Sequence, residues 1–168
     1  MSIRNLILAT GIAGAVIVGA GAAYSASITA PEFVRKASVS GLFEVESSNL
    51  ALEKSQNTAV REFAKQMIDD HTKANNKLKA VLQTSNTDAK PATALDSEHQ
   101  KLMDELRAET GESFDRRYID IQTGAHNDAV GLFNEYANEG EDAALKNFAA
   151  LTLPTLKEHL NHVKTIHF

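Results

Sequence analysis

Apolar residues recur at intervals of three and four along most of this chain, which is the spacing of helices that bury one face. The stretch "EFVRKASVSGLFEVESSNLALEKS", opened by Pro31, predicts a first helix to about Ser55 with an inner stripe of Val34, Ala37, Gly41, Val45 and Leu52. Asn57 is placed to cap a second helix from Thr58 to about Gln83, whose stripe runs Val60, Phe63, Ala64, Met67, then Ala74 and Leu78. "TSNTDAKPATAL" breaks the pattern and reads as a loop. Asp96 caps a short third helix, "SEHQKLMDELRAE", which Gly111 ends. Ser113 is expected to cap a fourth helix from Phe114 to about Asn138, with Gly140 as its stop. Asp142 opens a last helix from Ala143 to near His167, and Pro154 inside it should kink it near Ala150.

Four long amphipathic helices and one short one predict an all-α up-down bundle. Short turns at 56 and at 140–141 make the first two long helices antiparallel neighbours, and the last two likewise. The short helix lies in the long connection between these two hairpins. Composition agrees: 43% of the 168 residues are hydrophobic and 23% charged, enough for one core with a solvated surface. The net charge of −5 and the lack of a basic patch argue against nucleic acid. With no cysteine, disulfides, thiolate metal sites and a cysteine nucleophile are excluded.

The first residues are of another kind. "MSIRNLILATGIAGAVIVGAGAAYSAS" places one basic residue, Arg4, before an apolar run that ends in small residues. This is the order of a secretory signal peptide, assigned to residues 1–26, with residues 27–168 as the bundle domain. An uncleaved anchor is the competing reading, since the run is nearly long enough to span a bilayer. Export places the protein in the periplasm or cell envelope.

Histidines interrupt the apolar stripes. His71 fills the slot between Met67 and Ala74, and His159 continues Phe148, Ala149, Thr152 and Leu156. His126 lies beside Tyr118, Ile121, Ala125, Ala129 and Phe133, and Glu44 borders Ala37, Gly41 and Ser48. At about 1.5 Å of rise per residue, Glu44 and His71 stand roughly 18 and 22 Å from the turn at 56. His126 and His159 stand roughly 21 and 28 Å from Gly140. The four polar groups can therefore meet at mid-bundle. Buried imidazoles and carboxylates need partners, and they find them either in one another or in a cation. Three imidazoles with one carboxylate suit zinc, iron or copper better than calcium. Asp70, Asp120 and Asp128 are candidate acceptors for the outward ring nitrogens. Ile68, Thr123 and Leu156 occupy the positions three before the histidines, so the Glu-x-x-His signature of a di-iron carboxylate bundle is absent. His162 reads as a boundary residue, and His99 and His167 as surface or end positions.

The segments "FVRKASVSGLFEVESSNLALEKSQNTAVREFAKQMIDDHTKANNKL", "FDRRYIDIQTGAHNDAVGLF" and "LKNFAALTLPTLKEHL" resemble the exported bacterial family called domain of unknown function 4142. The likeness runs from about Pro31 to Val163. It implies a ferritin-like bundle in the cell envelope and no settled activity. It also implies Glu44, Asp70 with His71, His126 and His159 as the family's pattern positions. Many relatives resemble Asp-His at the fourth-helix site, where this chain has Ala125-His126, so an acceptor is missing there. The outer-membrane label often given to the family has no support in the residues, which show no alternating barrel strands.

Three functions fit these residues. The first is a metal-binding bundle with Glu44, His71, His126 and His159 as ligands and Asp70 behind them, serving binding, storage or protection under stress. The second is a metal-free structural or interaction module of the envelope, with the same groups as a buried polar network. The third is an enzyme using His and Glu as base and acid, for which neither a nucleophile elbow nor a phosphate loop provides a motif.

Overall fold

A computed structural model describes residues 27–168; the signal-peptide reading of residues 1–26 lies outside them. The described chain forms five helices: α1 (Ala30–Lys54), α2 (Thr58–Val81), α3 (Ser97–Ala108), α4 (Gly111–Glu139) and α5 (Ala143–Val163). α1 packs along α2 and α4 along α5; these pairs join through α1 against α4 and α2 against α5, while α3 rests on α1 and α4. Among the described residues no helix is long and apolar enough to cross a membrane.

Local chemistry sets most of the ends. Thr29 accepts from the Glu32 amide and Pro31 occupies the first turn of α1. The Asn57 side-chain oxygen Oδ1 accepts from the amides of Ala59 and Val60 at 2.9 and 3.2 Å, satisfying two donors at the start of α2. Asp96 accepts from His99 N at 3.1 Å, and Asp142 from Leu145 N at 2.9 Å. Lys54 at the end of α1 donates to the carbonyls of Leu106, Arg107 and Glu109, so its charge meets the negative end of α3.

The corner between α3 and α4 departs from the expectation. α3 stops at Ala108, and Gly111 begins α4 instead of ending α3. Thr110, not Ser113, is the capping residue, and its side chain makes no capping bond. Ser113 instead donates to the Glu109 carboxylate. Gly111 has φ 57°, which only glycine adopts at little cost, and this lets the chain turn within so few residues. α5 ends at Val163, short of His167, and α2 ends at Val81, short of Gln83. Pro154 sits inside α5 as expected, where it has no N–H to offer the Ala150 carbonyl.

The core consists of two apolar clusters. One gathers Phe43, Phe63, Met67, Phe114, Tyr118 and Val163; the other gathers Phe33, Leu78, Phe133, Tyr136, Phe148 and Leu156. Phe33 stacks on Tyr136 with ring centroids 4.0 Å apart. On α1 the buried face runs through Phe33, Ser38, Phe43, Ser47 and Ser48, whereas Val45 and Leu52 are only half-buried. The helix is thus rotated slightly from the stripe drawn on the sequence. Each long helix passes from one cluster to the other, and at the crossing it carries a polar residue: Glu44, His71, His126 or His159.

Candidate metal centre

The crossing layer brings three imidazoles together. The His71, His126 and His159 rings form a nearly equilateral triangle, with centroid separations of 5.5, 5.4 and 5.4 Å. One nitrogen from each ring lies within 4.8 Å of one from each of the others. All three residues are buried, at 6%, 0% and 1% exposure. α2, α4 and α5 supply one each, and the helical stripes on either side hold them inward.

Hydrogen bonds behind two of the rings, His126 and His159, set which of their nitrogens are left free. His126 Nδ1 lies 2.9 Å from the Gln122 carbonyl oxygen. A carbonyl only accepts, so Nδ1 carries the proton and Nε2 keeps its lone pair. His159 Nε2 lies 3.1 Å from Asp70 Oδ2. Asp70 also binds Lys73 at 3.3 Å. Burial would raise the Asp70 pKa, but the bonds from His159 and Lys73 outweigh it and hold the carboxyl below its usual range. An ionised carboxylate accepts, so His159 Nε2 is the donor and Nδ1 is free. The buried side-chain atoms without a partner include His71 Nε2, His126 Nε2 and His159 Nδ1, one per ring.

Two of the rings, His71 and His159, are held neutral. Burial pushes His71 well below its ordinary value, and repulsion from His126 and His159 adds to this. Burial also lowers His159, to about 4, against the opposing pull of Asp70. Neutral imidazoles are the form that binds metal. Each buried polar atom left without a partner costs about 1–3 kcal/mol, so three such ring nitrogens on three adjacent rings suit a cation among them.

The fourth predicted ligand is placed differently. Glu44 is buried at 1% exposure, but its Oε1 is 3.8 Å from His126 Nδ1, the nitrogen bonded to Gln122. It therefore stands behind His126 and outside the group of three. Burial raises its pKa, opposed by His126, Gln122 and His99 in that order. Around it lies a polar set of which the helical stripes include Ser48 and Tyr118 but not Ser47 or Gln122: Gln122 Nε2 donates to Ser47 Oγ at 3.1 Å, and Ser48 Oγ meets Tyr118 OH at 2.8 Å. Of the three acidic candidates only Asp70 reaches a ring; Asp120 and Asp128 are exposed, and neither bonds an imidazole. Ala125 leaves no carboxylate for His126, and the Gln122 backbone takes that part. His99 is half-buried and pairs with Asp96 at 2.7 Å; His162 is exposed and meets Gln66 at 2.9 Å; His167 is exposed.

A five-helix bundle with a buried triangle of imidazoles defines a class of candidate metal-binding helical proteins. The chain belongs to the family described as "Domain of unknown function (DUF4142)", whose pattern matches residues 18–166. No curated protein matches it in sequence. Solved structures share its fold at low identity. CopM in the Cu(II)-bound form is 17% identical, with a TM-score of 0.69 over 83% of this chain and 95% of that one. A DUF305 fragment from Deinococcus radiodurans is 16% identical, with a TM-score of 0.67 over 80% of this chain and 91% of the other. A DUF305 protein from Streptomyces coelicolor is 18% identical, with a TM-score of 0.63 over 82% and 90%.

Proposed function

We propose that this is an exported envelope protein whose bundle binds one transition-metal ion through His71, His126 and His159. The observation that carries this reading is the set of three buried, partnerless ring nitrogens on three helices, each ring belonging to a group whose nitrogens lie within 4.8 Å. An all-imidazole set without thiolate suits zinc, copper or iron. The shared fold with a protein solved in a Cu(II)-bound form favours copper among them. Asp70 and the Gln122 carbonyl fix the ring orientations, as outer partners of metal-binding histidines do. Glu44 supports His126 from behind, and a change of its side-chain rotamer would be needed for it to become a fourth ligand.

The contacts of α1 with α2 and α4, and of α5 with α2 and α4, support a ferritin-like up-down arrangement. The signal-like residues 1–26 support export, and storage or protection against metal stress is the role that fits a sequestered envelope site. Equilibrium dialysis with metal analysis tests the binding. Wild type should retain about one ion per chain and His71→Ala little; equally low metal in both contradicts the reading.

A second reading is a metal-free envelope module. The Ser47–Gln122 and Ser48–Tyr118 bonds beside Glu44 favour it, because some polar groups of this core layer pair with one another. It predicts a melting temperature indifferent to chelators.

A further inference from the structure

A cavity of about 30 Å³ lies against the imidazole triangle. His71 and His159 form part of its wall, while His126 and Glu44 do not. Leu78, Phe133, Phe148 and Leu156 make most of the remainder apolar. On α2, Asp70 and Asn75 add polar groups. The Asn75 side chain lies against Gly41, where any Cβ would collide with its oxygen. His71 is the most exposed of the three rings at 6%, and the Asp70 side chain beside it is 29% exposed. The cavity side is therefore the side nearest solvent. Its volume exceeds the roughly 10–15 Å³ that one water needs, which leaves room for a ligand of a few atoms.

We infer that the centre keeps one coordination position open toward this cavity and takes a small inorganic ligand there, water or hydroxide at rest and a small anion in exchange. This rests on the metal-binding reading above. Three protein nitrogens leave a four-coordinate ion one ligand short, the pattern of ions that exchange ligands, unlike closed structural sites. Glu44 faces the other edge of His126 and does not reach the cavity, so the protein offers no carboxylate on that side except Asp70, which is engaged with His159 and Lys73. The narrow, largely apolar wall admits small monodentate ligands and turns away bulky chelating ones.

The test is an azide titration of the mature protein loaded with Cu(II), followed by the azide-to-copper charge-transfer absorbance, with copper content measured in every sample. Ala74→Leu and Thr152→Leu fill the cavity from opposite walls, α2 and α5. Wild type should show a saturating band for one azide per copper. Either variant that retains its copper should bind azide at least about tenfold more weakly, a difference of about 1.4 kcal/mol. Copper-loaded wild type with no azide band, or copper-retaining variants with undiminished azide binding, overturns the open position and leaves the metal site standing. A wild type that takes up no copper, zinc or iron overturns both.

Discussion

Asp70 accepts a hydrogen bond from His159 Nε2 at 3.1 Å, although 89 positions separate the two in sequence. Asp70 is the immediate neighbour of His71, so the pair "DH" on α2 serves two rings: one residue contributes an imidazole and the other orients the imidazole of α5. This single bond ties the two hairpins together at the level of the site and sets the His159 tautomer. Replacing Asp70 by Ala should weaken metal binding by about 10–100-fold, the usual cost of losing such an outer partner. Competition titration against a chelator of known affinity checks it. Asp70→Asn, which can still accept through its carbonyl oxygen, should lie between Ala and wild type.

The metal-free protein should lose stability on mild acidification. In the unfolded chain His71 and His159 titrate near 6.5, whereas in the fold both are lowered, His159 to about 4. The unfolded state therefore binds more protons as pH falls from about 6.5 toward 4, and folding free energy is lost through that window, on the order of 3 kcal/mol for His159 alone. Glu44 works in the opposite sense: its raised pKa costs stability as pH rises above 4.5. Urea unfolding of chelator-treated protein at pH 7.5 and 5 checks the balance, with the lower midpoint expected at pH 5. His159→Gln should flatten the dependence.

Gly111 should be among the least replaceable residues of the α3–α4 corner. At φ 57° any Cβ is strained even though the space around it is open, so Gly111→Ala should cost about 1–2 kcal/mol in chemical denaturation with metal binding intact.

Tyr118 offers a separate test of the network beside Glu44. Tyr118→Phe removes the bond to Ser48 and leaves that buried hydroxyl short of a partner, at a cost of about 1–3 kcal/mol. Because Tyr118 is outside the imidazole triangle, metal stoichiometry should not change.

The sequence made some of this legible and hid the rest for physical reasons. The caps Asn57, Asp96 and Asp142 act on amides two or three residues away, so local spacing reveals them. His71 and His159 continue apolar stripes and could be placed inward from periodicity alone. The α3–α4 corner could not be read this way, because its shape depends on the left-handed Gly111 rather than on a side-chain cap. Helical rise gives the depth of Glu44 but not its direction: the face α1 presents is set by Phe33 and Phe43 packing, and small serines there are weak signals. The partner of His126 is a backbone carbonyl, which every residue has and no residue type announces. Position 125 offers no carboxylate, and the acceptor is the Gln122 carbonyl one turn earlier.

The most direct measurement is a crystal structure of the mature protein loaded with Cu(II) or Zn(II), with anomalous scattering recorded at the metal edge. The account predicts one strong peak within the triangle, bonded to His71 Nε2, His126 Nε2 and His159 Nδ1. A fully loaded crystal with its only peak elsewhere, or metal-soaked crystals with none, would contradict it.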